Sequence, residues 1–203
     1  MTLRADLKII TDLIRPNTKV LDLGCGDGSL LHYLNNHKQV TSYGMEIDPQ
    51  NIEHCISRGV NVIQSNLDEG LSAYFADHSF DYVILTQTLQ AVHYPVQLLS
   101  EMLRVGNEGI ITFPNIAHWR SRIQLMFTGK LPVTDALPNQ WFDTPNIHLC
   151  SLNDFEHLCA KQHIQITERI ATDFTHGRTS LSVKLLPNLF AETALYRITK
   201  NAQ

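Results

Sequence analysis

The apolar run Val20-Leu21-Asp22-Leu23 leads straight into Gly24-Cys25-Gly26-Asp27-Gly28, and Leu30-Leu31 follow at once. A short strand that closes on glycines and reopens as a helix constrains this chain more than any other segment. Three glycines at alternate positions permit positive φ, and without Cβ atoms they let backbone N–H groups come close to a ligand at a helix N-terminus. The spacing is G-x-G-x-G, not the G-x-G-x-x-G of dinucleotide-binding folds. An acid, Asp22, stands inside the strand just before it. A carboxylate there disfavours a pyrophosphate and suits a ligand bearing an ammonium group. Farther on, Gly44-Met45-Glu46-Ile47-Asp48 closes the next apolar run, placing Glu46 where a carboxylate can accept both hydroxyls of a ribose. Cys25 reads as a small packed residue, because no base-bearing motif adjoins it.

The rest of the chain continues the alternation. Leu3, Leu7, Ile10 and Ile14 recur at helical steps; Val40 to Met45, Val60 to Ile63, Phe80 to Leu85 and Gly109 to Phe113 are strand-like; Pro49 and Pro95 stand where helices open. Strands alternating with helices predict an α/β, doubly wound, mostly parallel sheet covered on both faces. After Pro114 the rhythm changes. A helix over about 117–127 precedes a long loop, 129–146, containing Pro132, Pro138 and Pro145. The adjacent aromatics Trp141 and Phe142 predict that this loop is docked rather than disordered. Ser151-Leu152-Asn153-Asp154 is a capping sequence for a further helix. Two late strands, near 164–170 and 193–199, joined across Thr175-His176-Gly177-Arg178 and a further loop, predict an antiparallel edge. One domain over 1–203 is expected, with about 18–113 as a cofactor half and 114–203 as a variable half for an acceptor or partner.

Charge enters as an exclusion. Sixteen Lys and Arg against twenty Asp and Glu give −4 over 203 residues, which removes the broad positive field of a non-specific nucleic-acid binder. Only 18% of residues are charged while 43% are hydrophobic, so part of the surface is expected to be uncharged. The four cysteines include no C-x-x-C pair, which argues for a reducing compartment and against zinc or any other metal. No apolar run reaches the roughly 18 residues of a membrane span, and no secretory signal is visible, so a cytoplasmic protein without membrane attachment is expected.

An adenosine carrying an amino-acid tail meets both constraints set by the glycine loop and Glu46. Residues 18–113 resemble the class I S-adenosylmethionine-dependent methyltransferases. That resemblance implies a seven-stranded sheet, with Asp22, Gly24, Cys25, Gly26 and Gly28 around the methionine part, Glu46 on the ribose and Ile47 on one adenine face. Asn66 and Leu67 would meet the adenine edge, and Gln87 completes the set. Several longer stretches are more specific: Asp22 to Gly28, Phe80 to Gln90, Phe113-Pro114-Asn115, His118-Trp119-Arg120, Phe142 to Cys150, and Leu186-Pro187-Asn188-Leu189-Phe190. Together they are similar to the MetW family of bacteria over essentially the whole chain. This implies a protein that binds S-adenosylmethionine or S-adenosylhomocysteine and supports homoserine O-acyltransferase (MetX) in making O-acylhomoserine. No methyl acceptor comes with that family. Many small-molecule methyltransferases of this class carry Gly-Asp at Ser65-Asn66 and a histidine at Ala91; Asn66 can still bond adenine, whereas Ala91 weakens the case for catalysis.

Beyond the cofactor half, Trp119, Ile123, Met126 and Phe127 share one helical face and read as core, leaving Arg120 and Arg122 outward as solvated groups, partner contacts or a carboxylate clamp. His118 and His148 are the catalytic candidates, although a histidine placed like His148, before a helix capped by Ser151, is more often a packed or loop-satisfying group. Trp141 and Phe142 would cover the cofactor, anchor a partner or pack within their loop. These aromatics, with Asn115, Trp119, Arg120 and Arg122, form the partner or acceptor set. Two functions follow: a ligand-binding partner of the acyltransferase, or a small-molecule methyltransferase whose site is lined by Gln87, Asn115, His118 and His148. The uncharged surface is placed around Trp141, Phe142 and Leu186 to Phe190.

Overall fold

A computed structural model describes residues 5–173 and 181–201. Leu3 and the link Thr175-His176-Gly177-Arg178 lie outside them. Five strands alternate with helices through the first part of the chain: α1 (Ala5–Leu13), β1 (Lys19–Leu23), α2 (Ser29–Lys38), β2 (Thr41–Glu46), α3 (Pro49–Ser57), β3 (Asn61–Gln64), β4 (Phe80–Thr86), α4 (Pro95–Val105) and β5 (Gly106–Pro114). Then come two helices, α5 (Trp119–Thr128) and α6 (Leu152–Lys161), followed by β6 (Ile164–Asp173), β7 (Leu181–Ser182), α7 (Pro187–Phe190) and β8 (Thr193–Lys200).

The strand order is β3-β2-β1-β4-β5-β8-β6-β7. The pairs from β3 to β5 are parallel, while β8 runs antiparallel to both β5 and β6. The doubly wound reading holds, antiparallel edge included. The expected seven strands gain an eighth, the two-residue β7, which pairs only with the end of β6. Nothing in two residues of alternation could have announced it.

Alternation within the strands divides the core between two faces, because successive side chains leave a strand on opposite sides. Val20, Tyr82, Ile84 and Ile110 pack against Leu7, Ile10 and Ile14 around α1 and Leu30, Leu31 and Leu34 of α2. Leu21, Leu23, Val83, Leu85 and Ile111 meet the opposite layer, made by Leu98, Leu99 and Met102 of α4 and by Leu152 and Phe155 of α6. Aromatic rings join the C-terminal part to this layer: Phe155 lies 5.0 Å from Phe113 and 4.7 Å from Tyr196, centroid to centroid. The capping sequence works as expected, with Ser151 Oγ accepting from the Asp154 N–H and the Asp154 carboxylate accepting from the Ser151 N–H.

Helix α5 overturns its reading. Trp119, Ile123, Met126 and Phe127 are all exposed, and Ser121 is the residue of α5 that is buried. At about 100° per residue, the four apolar side chains fall within roughly 100° of one another, with Ser121 on the opposite side of the helix. The stripe is real, but it faces away from the protein. The chain between β5 and β6 holds two helices, and α6 already covers the sheet, so α5 has no core left to fill. The long loop docks through another residue and leaves its aromatics on the surface, where the uncharged patch is expected. Trp141 and Phe142 are 73% and 66% exposed and contact each other edge to face at 5.8 Å, while Leu137 is the buried anchor.

Candidate functional site

The order β3-β2-β1-β4-β5 makes the chain leave β1 toward one edge and return to the other side at β4, so the C-terminal ends of β1 and β4 form the crevice where such sheets bind ligands. A cavity of about 570 Å³ opens there, walled by Asp22, Gly24, Cys25, Gly26, Thr86 and Gln87, and bounded on its outer side by Leu7 of α1 and Tyr33 of α2. This volume suits a drug-sized ligand.

The glycine loop is held from below. The N–H groups of Gly24 and Cys25 both donate to the Met45 carbonyl of β2, at 2.8 and 3.1 Å, and Gly26 N–H donates to Glu46 Oε2 at 2.8 Å. Gly24, Gly26 and Gly28 all have positive φ. A Cβ on Gly24 would meet Thr88 Oγ1 at 2.6 Å, and one on Gly28 would meet Cys55 Sγ at 2.8 Å, whereas beside Gly26 there is open space. Two of the glycines therefore serve close packing, and the middle one faces room. Cys25 lies 3.8 Å from Cys55, sulfur to sulfur, and burial pushes its thiol far above the ordinary range, as expected of a packed residue.

Asp22 sits at the floor of the cavity. It is buried, and its Oδ1 has no hydrogen-bond partner among the described residues. Burial, with the neighbouring Glu46 carboxylate, pushes its pKa up to about 7. Thr86 Oγ1, on the same wall, is likewise buried without a partner. Two buried polar atoms without partners, on two residues that wall one cavity, are what a ligand with hydrogen-bonding groups could satisfy, and an ammonium would return Asp22 to its ionised form. These residues fit the amino-acid end of S-adenosylmethionine or S-adenosylhomocysteine.

Glu46, Ile47, Asn66 and Leu67 lie outside the cavity walls, at and just beyond the ends of β2 and β3. Glu46 is buried; its Oε1 accepts from the N–H groups of Ile47 and Asp48 at 2.8 and 3.0 Å, so it braces its own turn as well as the glycine loop. Ile47 is exposed, with its side chain available for an aromatic ring. Asn66 Oδ1 accepts from the Asp68 N–H and caps a short 3-10 turn that begins at Leu67. Gln87 holds φ 53°, a left-handed conformation uncommon away from glycine, with its N–H donating to the Thr112 carbonyl at 3.0 Å. Sequence reasoning could not see that strain, nor the part of Gln90. The buried Gln90 side-chain amide donates to the Gln87 carbonyl at 2.8 Å, and the Gln90 backbone carbonyl accepts from the N–H groups of Ile147 and His148. The end of β4 is thus tied to the long loop.

The acceptor candidates are engaged in contacts of their own, and some of those contacts join them: the His118 N–H donates to the Asn115 carbonyl at 3.2 Å, and Asn115 and Arg122 share the Asn188 carbonyl. Asn115 is buried, and its amide donates to the carbonyls of Asn188 and Ala191, fastening α7 to the end of β5. His118 is buried with its ring 5.8 Å from Trp119, while His148 is exposed and reaches the His93 carbonyl at 3.4 Å. Arg120 lies 3.6 Å from Glu192 and over the Trp119 ring, and Arg122 donates to the Ala117 and Asn188 carbonyls. Arg120 thus already faces a carboxylate of the protein itself, and Arg122 ties the helix to neighbouring backbone. Among the described residues, no cluster of His, Cys, Asp and Glu is arranged to hold a metal ion, and no helix is long and apolar enough to cross a membrane.

Sheet order, glycine loop and antiparallel last strands define a class I methyltransferase fold. The structure superposes on an S-adenosylmethionine-dependent methyltransferase from Archaeoglobus fulgidus with a TM-score of 0.71 at 17% identity, covering 97% of this chain and 92% of that one. A methyltransferase from Thermotoga maritima, described as a possible histamine N-methyltransferase, gives 0.69 at 17% identity over 97% and 88%. Within that fold the chain belongs to the MetW family: the family model described as "Methionine biosynthesis protein MetW" matches residues 4–198. It is 36% identical over 204 residues to the bifunctional methionine biosynthesis protein MetXA/MetW of Rhodopirellula baltica, covering 96% of this chain and 32% of that protein. It is also 29% identical over 136 residues to the 2-methyl-6-phytyl-1,4-hydroquinone methyltransferase of Synechocystis, 64% of this chain and 42% of that one. The chain therefore spans about a third of the first relative and less than half of the second.

Proposed function

We propose that the chain is a ligand-binding partner of homoserine O-acyltransferase: it binds S-adenosylmethionine or S-adenosylhomocysteine at the ends of β1 and β4, associates with the acyltransferase and raises its rate of O-acylhomoserine formation. The observation that carries this reading is the Rhodopirellula baltica relative, whose name joins MetXA to MetW and of which the match occupies only 32%. Two activities kept in one polypeptide work at a high effective concentration of each other, and a separate chain reaches the same state by binding. Asp22, the Gly24–Gly28 loop and Thr86 would hold the amino-acid end of the ligand, and Glu46 and Ile47 the adenosine. S-adenosylmethionine supplies a sulfonium methyl group when bound, but the residues expected to line an acceptor site are spent elsewhere: Asn115 holds α7, His118 is buried beside Trp119, and His148 is on the surface. The Gln87–Gln90–Ile147 connection supports a further element of the reading, that ligand occupancy alters the association.

Calorimetry with each form of the ligand, and size exclusion with the purified acyltransferase, test the two halves separately. Binding of either ligand form together with a co-eluting complex is the expected result. Failure to bind either form would remove the ligand half, and absence of both a complex and a rate change would remove the partner half. The match to a hydroquinone methyltransferase favours a second reading, methyl transfer to a small molecule. S-adenosylhomocysteine accumulating only when a particular metabolite fraction is added would support it.

A further inference from the structure

The outward stripe of α5 does not stand alone. Met126 and Phe127 are 69% and 77% exposed, and the loop that leaves the helix adds the exposed Leu131 and Val133, held against α5 by the Val133 N–H donating to Gln124 Oε1 at 3.0 Å. On the other flank, Arg122 reaches the Asn188 carbonyl of α7, beside which Leu185 and Leu186 are also exposed. Asn188 is the hub of this corner: its side-chain oxygen accepts from the Leu152 N–H at the start of α6, and its carbonyl accepts from Asn115. The apolar residues are thus carried on a braced platform. Exposed apolar side chains gathered on elements tied to one another by hydrogen bonds mark an interaction site rather than ordinary scatter.

Charge narrows the occupant. The exposed charges flanking the platform are the basic Arg122, Lys130 and Lys184 against one acid of the following loop, Asp135, a basic excess in a chain whose net charge is −4. A second copy docking through this face about a two-fold axis would set the same basic flank against itself. Like charges across an interface cost affinity and suppress that pairing. A partner with an apolar patch rimmed by acids fits better.

We infer that the platform formed by α5, its following loop and the α7 corner is the surface that receives the homoserine O-acyltransferase, through Ile123, Met126, Phe127, Leu131 and Leu185 with an acidic rim on the enzyme. This rests on the partner reading above and adds the place of contact. It lies apart from the cavity walls, so partner and ligand can be bound at the same time.

The test uses the full chain and the purified acyltransferase, with wild type, the double variant Met126→Asp/Phe127→Asp, and Leu185→Asp. All three positions are exposed, so unchanged thermal midpoints and unchanged ligand affinity are expected and serve as the folding control. Wild type should form a complex that weakens as salt is raised, and each variant should lose at least tenfold in affinity. Variants that bind the enzyme like wild type would overturn the placement while leaving the association intact. Wild type that fails to bind would instead remove the partner reading itself. A wild-type homodimer that the same variants dissociate would assign the face to a second copy and overturn the inference.

Discussion

Two helices of equal length, α2 and α5, carry apolar stripes that look alike in sequence and end in opposite places. Leu30, Leu31 and Leu34 of α2 are buried against β1 and β4; Ile123, Met126 and Phe127 of α5 face outward. Helix α2 is the crossover between two parallel strands, so the connection itself lays it on the sheet. Helix α5 shares its connection with α6, whose Leu152 and Phe155 already occupy the sheet face. An apolar stripe states what a helix must cover, and topology decides whether the cover comes from its own chain.

That contrast is open to direct attack by mutation. Phe155→Ala removes a buried ring from the Phe113–Phe155–Tyr196 cluster and is expected to cost about 3–5 kcal/mol in denaturant unfolding. Gly24→Ala forces a side chain into a left-handed backbone and against Thr88, for about 2–4 kcal/mol. Asp22→Asn separates function from stability. With the charge partner of the ligand gone, calorimetry should show a loss of about 2–3 kcal/mol in binding, roughly 30- to 150-fold.

The same carboxyl sets a pH dependence. Its folded pKa, about 7, lies above its unfolded value, so its contribution to stability is full below the unfolded pKa and is lost as pH rises toward 7. Wild type should therefore lose thermal stability between about pH 4 and 7 relative to Asp22→Asn, and the variant should melt higher at pH 8. Ligand affinity should move the other way, weakening as pH falls below 7 because the ammonium must displace a proton. An affinity flat from pH 5 to 8 would dissociate Asp22 from the ligand. The smallest effect belongs to α5: Phe127→Ala, at a 77% exposed site, should change stability by no more than about 0.5 kcal/mol. A loss as large as that of Phe155→Ala would erase the distinction between the two helices.

Legibility follows the same division. Through β5, local pattern and final position agree, because a βα unit leaves its helix one place to go; the glycine loop, the capped helices and the parallel character of the sheet could all be read from residues. Gln87 gave no sign of its positive φ, since a glutamine carries no preference for that region. The binding of Asn115 to α7 was hidden for another reason: its partner carbonyls lie more than seventy residues away. Low charge points to surface, and Trp141, Phe142, Leu186 and Phe190 are exposed; the α5 stripe is legible as a stripe but not in its direction, because periodicity alone cannot tell inward from outward.

Action through homoserine O-acyltransferase, as proposed above, has a direct readout. Titrating the purified chain into a fixed amount of homoserine O-acyltransferase, with homoserine and the acyl donor present, measures it directly. The rate of O-acylhomoserine formation should rise and saturate near one equivalent. A rate that stays constant through a tenfold excess would contradict the account.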